Sequence, residues 1–205
     1  MKKLIFALTA GLVCAAFAQE NIAKNGGFED ISKTPKASDK YIMGRIKMGW
    51  DFGAGPVAKI PTSWVPNMGK AKLRIITVGE NGENKENVAE GKNSVYFCGN
   101  DFSMYNSNYL KPGKYKISFK FKGTGRATIS FYAYGKDPNT GKTKHICSRA
   151  PITAMGKKDT WQTISREIEI GLWAPGIDRC TLAINGNKAD YYIDDIVVTP
   201  VTDAK

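Results

Sequence analysis

Lys114 to Lys122 reads Lys-Tyr-Lys-Ile-Ser-Phe-Lys-Phe-Lys, and this stretch decides the fold class. Its apolar residues alternate with lysine or serine, so that Tyr115, Ile117, Phe119 and Phe121 share one face. A period of two is that of a β-strand with one buried and one solvated face. The stretch therefore predicts a half-buried strand.

The alternation continues in residues 126–135, where Tyr132 and Tyr134 fall on the polar face. Gly123-Thr124-Gly125 lies between the two segments, and such a glycine pair favours a tight turn. The two segments are therefore predicted to form a hairpin. By the same reasoning, Asn185-Gly186 is predicted to be the turn that joins residues 179–184 to the last strand.

The remaining chain also indicates strands and no convincing helix. Turn signals recur about every eight to twelve residues, which favours an antiparallel sandwich over a βαβ fold. Residues 31–62 are predicted to form a long excursion with a short hairpin around residues 41–52, and residues 79–92 a second polar loop.

The first 18 residues have the pattern of a secretory signal peptide. Met1-Lys2-Lys3 precedes an apolar stretch that ends in Ala16-Phe17-Ala18, a small-x-small cleavage site. Cleavage would leave residues 19–205 as a single domain outside the cytoplasm, either secreted or periplasmic. No other stretch approaches the run of about 20 apolar residues that a membrane-spanning helix needs.

Charge and cysteine content limit the net charge of the exported protein and the disulfides that it can form. Loss of Lys2 and Lys3 leaves 28 basic and 19 acidic residues, so the formal charge falls from +11 to +9. Three cysteines would remain, namely Cys98, Cys147 and Cys180, which allows at most one internal disulfide. Strand parity places Cys180 inward and Cys98 outward and leaves Cys147 ambiguous, so the pairing stays open.

The order of several short motifs resembles one family. These motifs are Asn25-Gly26-Gly27-Phe28-Glu29, Pro61-Thr62-Ser63-Trp64, Glu90-Gly91-Lys92-Asn93-Ser94, Leu110-Lys111-Pro112-Gly113-Lys114-Tyr115, Trp161-Gln162 and Ile193-Asp194-Asp195-Ile196. They occur in the order seen in galactose-binding-like jelly rolls, and more narrowly in bacterial carbohydrate-binding modules that accompany xylanases and glucanases. The resemblance covers nearly all of residues 21–199. It implies an all-β, antiparallel β-sandwich of jelly-roll type whose first and last strands meet.

The resemblance also implies a structural calcium ion between those two strands. Glu29 would be one ligand, and Asp194 or Asp195 the other carboxylate. Calcium favours hard oxygen ligands and tolerates irregular geometry. The alternative is that these three residues cap strand ends or pair with surface lysines.

Sugar recognition requires flat aromatic faces together with groups that bind hydroxyls. Tyr96, Tyr132 and Tyr134 have outward parity and supply such faces, and Trp50 and Trp173 are platform candidates in less regular segments. Arg126 and three asparagines are candidates for the hydroxyls, whereas two further tryptophans are assigned to the core. The asparagines are Asn100, Asn106 and Asn108, and the core tryptophans are Trp64 and Trp161. Outward tyrosines are also common in sandwiches simply because aromatic residues favour strands.

The sequence shows no catalytic centre, and the protein is predicted not to be an enzyme. His145 is the only histidine, and no G-x-S-x-G element is present. Asp194 and Asp195 are neighbours on a strand and point to opposite faces, so they cannot flank one glycosidic bond. Glu83, Glu86 and Glu90 lie in one polar loop, for which a solvated role is preferred.

The sequence therefore predicts an exported, non-catalytic carbohydrate-binding protein that recognises a polysaccharide. A lysine stripe would favour an anionic polymer, although such a stripe also fits a solvated sheet face; it comprises Lys114, Lys116, Lys120 and Lys122. Nucleic acid is not expected as a partner, because the basic residues are spread along the chain. The alternative function is that of a structural or adhesive envelope or matrix protein with the same fold and no sugar site.

Overall fold

The structure is a computed structural model that describes residues 20–47, 52–53, 55–68, 72–100 and 102–201. The predicted signal peptide lies outside these residues and stays a prediction. In chain order the elements are β1 (Ile31–Pro35), α1 (Lys40–Lys47), β2 (Val57–Pro61), β3 (Trp64–Met68), β4 (Lys72–Thr77), β5 (Asn93–Gly99), β6 (Phe102–Leu110), β7 (Gly113–Lys136), β8 (Thr143–Met155), β9 (Gln162–Ile170) and β10 (Arg179–Pro200).

The two longest strands, β7 and β10, organise the fold. They pair antiparallel along their whole length, from Tyr115 opposite Pro200 to Tyr134 opposite Arg179. Their outer neighbours change midway: β7 pairs first with β9 and then with β8, and β10 pairs first with β6 and then with β5. The strands β4 and β3 extend the arrangement beyond β5 and β6.

Two layers result, and they share β7 and β10. The first layer has the strand order β4-β5-β10-β7-β9, and the second layer has the order β3-β6-β10-β7-β8. Every pairing is antiparallel. The predicted all-β, antiparallel β-sandwich of jelly-roll type is therefore confirmed.

The change of layer occurs where a hairpin turn was predicted, and that prediction is wrong. Gly123 and Gly125 have φ values of +128° and +91° and lie inside the continuous strand β7. A Cβ on Gly123 would stand 2.3 Å from the carbonyl oxygen of Asp190, and one on Gly125 would stand 2.1 Å from that of Lys188. The glycines thus let β7 bend closely against β10 instead of reversing the chain.

The turn predicted at Asn185-Gly186 is also wrong, because β10 continues through it. The irregularity lies just beyond, where the register with β7 shifts between Asn187 and Asp190 and Lys188 has a φ of 52°. This is a β-bulge, which bends the strand without ending its pairing.

Alternating side chains of both layers form one core. In β7 the buried apolar residues keep odd parity on both sides of the bend, as in Phe119 and Phe131, and both are fully buried. Phe121 and Tyr191 meet edge to face with ring centroids 5.9 Å apart. The predicted strand Lys114–Lys122 therefore buries the face that its alternation indicated.

The hairpin predicted around residues 41–52 is wrong, since residues 40–47 form helix α1. The Asp39 carboxylate accepts hydrogen bonds from the backbone N–H groups of Tyr41 (2.8 Å) and Ile42 (3.0 Å), which caps the helix. Ile42 is the residue that the helix buries. Asp39 is a helix-capping residue that the sequence shows, but the nearby Gly44 and Gly49 argued against a helix there.

The N-terminal segment meets the last strand, as the terminal motifs predicted, but this segment is not itself a strand, and the first strand, β1, pairs with β2. The backbone N–H of Ile22 donates to the Val198 carbonyl (2.9 Å), and that of Ile196 donates to the Gly26 carbonyl (3.0 Å). The ring of Phe28 packs on Trp64 with centroids 5.4 Å apart. Trp64 is only 2% exposed, so its assignment to the core is confirmed.

The cysteines are free thiols, and no pair forms a disulfide among Cys98, Cys147 and Cys180. Cys180 is buried as strand parity predicted, and this burial raises its pKa to about 11. In the described ranges, no helix combines the length and apolar character needed to cross a membrane.

Candidate functional site

The two layers differ in how much of their outer face is open. The outer face of the first layer is covered around Lys122 by the loop of residues 79–92, whereas Lys114 and Lys116, farther along β7, are exposed. Lys122 lies beneath this loop and donates to the Glu86 carbonyl (2.5 Å) and to Asn87 Oδ1 (2.9 Å). Trp161 donates its indole N–H to the same Glu86 carbonyl at 2.9 Å. The loop is thus held against the sheet.

Trp161 does not belong to the core, which corrects the sequence assignment. It is half-buried on the outer side of the first layer, where the Lys122 ammonium lies 5.7 Å from its ring centroid. The same ammonium lies 5.2 Å from the Tyr192 ring centroid. These two cation–π contacts and the loop carbonyl explain why Lys122 is only 8% exposed.

Two of the four lysines of the stripe are held by neighbouring groups. Lys120 forms ion pairs with Glu90 and with Asp195, the latter at 3.3 Å, and Lys122 lies under the loop. Lys114 and Lys116 are exposed and lie opposite Glu169 and Glu167 in the β7–β9 register. The stripe therefore carries both paired and exposed lysines.

Tyr96 lies on this same covered side of the molecule. Its ring packs on Tyr192 at 4.8 Å, and its hydroxyl donates to Asp190 Oδ1 at 2.7 Å. The guanidinium of Arg74 lies 5.6 Å from the ring centroid. Burial, followed by the hydrogen bond to Asp190, raises the pKa of Tyr96. These contacts already engage both the ring and the hydroxyl.

The outer face of the second layer carries a row of tyrosines on each side of β10. Tyr105 and Tyr109 come from β6, and Tyr132 and Tyr134 come from β7. Between them, β10 contributes small side chains; these are Thr181 and Ala183, with Asn185 beyond. The large tyrosine side chains rise above the small residues of β10 and enclose a cavity of about 390 Å³. It is lined by Val65, Tyr105, Asn106, Ser107, Tyr109, Tyr134 and Thr181. We call this cavity, with its three lining tyrosines and the neighbouring Tyr132 that packs on Tyr105, the tyrosine groove.

The rings of the groove contact one another. Tyr105 and Tyr132 meet edge to face with centroids 4.9 Å apart. His145 lies 5.6 Å from the Tyr134 ring and 6.1 Å from the Tyr132 ring. Burial raises the pKa of Tyr132 to about 12, with a further rise from the hydrogen bond to Tyr105, and burial also raises the pKa of Tyr134.

Beside the tyrosines, polar atoms are buried without a hydrogen-bond partner among the described residues. Asn185 donates to Ser130 Oγ at 2.6 Å, but its Oδ1 atom has no partner. Ser103, which lies opposite Asn185 in the β6–β10 register, has an unpartnered Oγ. A buried polar atom without a partner costs free energy, and such atoms often mark a place where another molecule binds.

The structure brings together only some of the residues that the sequence proposed for sugar binding. Tyr132 and Tyr134 lie in the tyrosine groove, whereas Tyr96 lies on the opposite side of the sandwich. Arg126 is exposed on the groove side but stands at the bend, six residues along β7 from Tyr132, or about 20 Å at ~3.3 Å per residue. Trp50 lies outside the described residues.

Trp173 lies at the edge of the second layer, away from the tyrosines. Its ring packs on Phe131 at 6.3 Å, and its indole N–H donates to the Glu169 carbonyl at 3.1 Å. The Arg149 guanidinium lies 5.8 Å from the ring centroid. Trp173 is therefore half-buried against the core beside β8 and does not line the groove.

The three asparagines proposed for sugar binding form side-chain hydrogen bonds with backbone groups. Asn106 donates to the Lys24 carbonyl (2.9 Å), Asn108 donates to the Ile22 carbonyl (2.7 Å), and Asn100 accepts from the Lys188 N–H (2.7 Å). Sequence reasoning missed Tyr105, Tyr109 and Arg179. The inward residue Leu110 could have identified Tyr109 as outward by parity.

The three predicted calcium ligands are occupied by hydrogen-bond donors. Glu29 accepts from the backbone N–H groups of Lys92 (2.9 Å) and Asn93 (3.1 Å). Asp194 accepts from the N–H groups of Ala89 and Glu90, both at 3.0 Å. These two carboxylates hold the end of the loop between the first and last segments of the chain.

This donor set does not fit a calcium ion. A cation needs several oxygens turned toward one point, whereas here N–H groups and the Lys120 ammonium face the carboxylates. In the part of the chain that the structure describes, no group of three acidic, histidine or cysteine side chains could hold a metal. The calcium site stays a prediction from the resemblance, without support from this arrangement.

Comparison with known proteins finds likeness only among solved structures. No protein-family model matches the chain, and no curated protein matches it. An arabinose-bound α-L-arabinofuranosidase, MgGH51, is 15% identical with a TM-score of 0.51; the match covers 89% of this chain and 26% of that one. The likeness is one of fold.

Two other solved structures match over nearly their whole length. The carbohydrate-binding module TmCBM61, in complex with β-1,4-galactotriose, is 18% identical with a TM-score of 0.42, covering 89% of this chain and 99% of that one. A cyclase from Fischerella sp. TAU is 13% identical with a TM-score of 0.48, covering 89% and 97%. The chain spans about a quarter of the arabinofuranosidase, so that enzyme's activity does not transfer. One fold serves many functions, and function must be argued from the site.

Proposed function

We propose that this protein binds polysaccharide in the tyrosine groove, outside the cytoplasm and without catalysis. The observation that supports the proposal best is the cavity on the outer face of the second layer, which Tyr105, Tyr109 and Tyr134 line. Sugar rings present apolar faces that pack on aromatic rings and hydroxyls that need donors and acceptors. The groove offers both, because the cavity is lined by tyrosine rings and by the hydroxyl-bearing residues Ser107 and Thr181.

The length of the groove favours a polymer over a single sugar. The groove tyrosines lie on strands that flank β10 on both sides, and the cavity is open along the outer face of the second layer. Tyr109 is 57% exposed and Val65 is 44% exposed, so apolar surface continues beyond the cavity. A chain of sugars could therefore extend past the ring that the cavity holds.

The arrangement of nucleophiles and carboxylates supports a non-catalytic role. His145 Nε2 lies 2.7 Å from Ser148 Oγ, but both residues are exposed, and no carboxylate in the described ranges bonds to this histidine. Glu83 pairs with Arg74 at 3.1 Å, and Glu90 pairs with Lys120. These acids lie over the first layer, on the side away from the groove, so they do not flank a sugar bound there.

Affinity electrophoresis against a panel of polysaccharides tests the proposal. The panel would contain neutral xylan, galactan, β-glucan and mannan, and acidic polygalacturonate and glucuronoxylan. We expect slower migration with at least one polymer, and restored migration when Tyr132→Ala is used. Normal migration of the folded protein with every polymer would contradict sugar binding and would favour the structural or adhesive alternative.

A further inference from the structure

The tyrosine groove ends at a cation that the sequence did not single out. Arg179 begins β10 and lies opposite Tyr134 in the β7–β10 register. Its guanidinium lies 5.0 Å from the ring centroid of Tyr109, the tyrosine on the other side. Arg179 therefore lies at one end of the groove, where β10 begins, between Tyr109 and Tyr134.

The guanidinium of Arg179 uses few of its hydrogen-bonding groups. Nη2 donates to Thr143 Oγ1 at 2.7 Å, which fixes the orientation of the plane. Nε is buried and has no hydrogen-bond partner among the described residues, since the nearest carboxylate oxygen, Asp178 Oδ1, is 3.9 Å away. A guanidinium carries five N–H donors, so most of them remain for another acceptor.

The surroundings of Arg179 favour an anionic acceptor. Stacking on Tyr109 holds the guanidinium plane in place, as does the bond to Thr143. None of the residues that line the cavity is acidic, and Asp178 is the carboxylate that lies nearest. The positive charge of the whole chain, +11, also favours the approach of an anion.

We propose that the groove recognises an acidic polysaccharide and that Arg179 binds the carboxylate of a uronic acid residue. This inference rests on the proposed function and names its ligand class. A planar carboxylate accepts two parallel N–H bonds from a guanidinium, which gives both strength and orientation. The neighbouring tyrosines hold the sugar ring while Arg179 selects the charge. The lysine stripe lies on the outer face of the first layer, on the side away from the groove, so it does not contact a ligand bound beside Arg179.

The test compares two polymers that differ only in the carboxylate. Glucuronate-substituted xylan and the same xylan after carboxyl reduction would be titrated with wild-type protein by calorimetry at two salt concentrations. We expect the acidic polymer to bind about tenfold more tightly than its reduced form. Arg179→Gln should abolish this preference while retaining affinity for the reduced polymer, and Arg179→Lys should keep only part of it.

Arg166→Gln is the matched control, since Arg166 is an exposed arginine on β9 in the other layer. It should leave the preference unchanged. Equal loss in both variants would show that diffuse charge, not Arg179, attracts the polymer, and would overturn the inference. Equal binding of both polymers by the wild type would overturn the acidic preference and leave sugar binding standing. Binding of neither polymer, nor of the wider panel, would overturn the proposed function itself.

Discussion

Tyr105 and Tyr132, from strands on opposite sides of β10, meet edge to face with ring centroids 4.9 Å apart. Ala183, which lies opposite Tyr105 in the β6–β10 register, is fully buried. The small floor residue lets the two rings approach each other, and their contact fixes the shape of the groove wall.

Removal of one of these rings should weaken polysaccharide binding. Tyr132→Ala loses the aromatic face and its edge-to-face partner, and such contacts contribute about 0.5–1.5 kcal/mol, or roughly three- to tenfold in affinity. Tyr132→Phe should retain more affinity, because it removes only the hydroxyl. Tyr96→Ala is the control on the other layer and should bind normally. A loss with Tyr96→Ala equal to that with Tyr132→Ala, as measured by affinity electrophoresis, would place the site elsewhere.

Glu29 should stabilise the folded protein through the backbone of the loop. Glu29→Gln removes the negative charge and keeps one oxygen for the Lys92 and Asn93 amides, while its N–H₂ group faces the donors that now bond the second carboxylate oxygen. We expect the free energy of unfolding to fall by about 1–2 kcal/mol. Chemical denaturation checks this value. Glu167→Gln, at an exposed position on β9, should change stability by less than about 0.5 kcal/mol; equal effects would refute the role of the loop contacts.

Asp194 should make stability depend on pH. Burial raises its pKa from 3.8 to about 7, despite the lowering effect of its backbone hydrogen bonds. Because the folded state holds this proton more tightly than the unfolded state, the contribution of Asp194 is largest below about pH 4 and is lost as the pH rises through about 7. Melting temperatures between pH 5 and pH 8 should therefore fall more for the wild type than for Asp194→Asn. Parallel curves would contradict the raised pKa.

Calcium should not be needed for stability. Amide and ammonium donors occupy the carboxylates of Glu29, Asp194 and Asp195, so a chelator has nothing to remove. We expect an unchanged melting temperature in excess chelator and after addition of millimolar calcium. A rise in melting temperature with calcium that Glu29→Gln abolishes would establish the metal site implied by the family resemblance.

The bend in β7 should not tolerate a side chain. Gly123→Ala would place its Cβ 2.3 Å from the Asp190 carbonyl oxygen at a φ of +128°, and we expect a loss of about 3 kcal/mol or more. Gly141→Ala is the control: its φ is +65°, but nothing lies within 4 Å of the added Cβ. Gly141→Ala should lower the free energy of unfolding by only about 1 kcal/mol. Similar melting temperatures for the two variants would refute the close approach of β10.

The alternation of Lys114 to Lys122 was sufficient to predict its buried face, because strand parity is a local property. The role of Gly123 was not predictable in this way, because the same glycines serve a turn or a close approach, and only the position of β10 distinguishes them. Only part of the tyrosine groove could be predicted from the sequence. Tyr132 and Tyr134 follow from parity within one strand, whereas Tyr105 joins them through the pairing of β6 with β10.

Other sequence candidates lie apart from the tyrosine groove for a related reason. Tyr96 has the same outward parity as Tyr132, but its layer is covered by a loop that Lys122 and Trp161 hold in place. Parity shows which face a side chain occupies and not what lies above that face. Arg179 gave no sequence signal at all, because its importance comes from its position at the end of the tyrosine rows.

Because both layers contain β7 and β10, neither layer can unfold while the other stays intact. Neither layer has a central strand of its own, so loss of one layer would remove the middle of the other. The protein should accordingly melt as a single cooperative unit. Damage to the loop contacts at Glu29 would then reduce the fraction of molecules with an intact groove on the far side, although the two places share no residue.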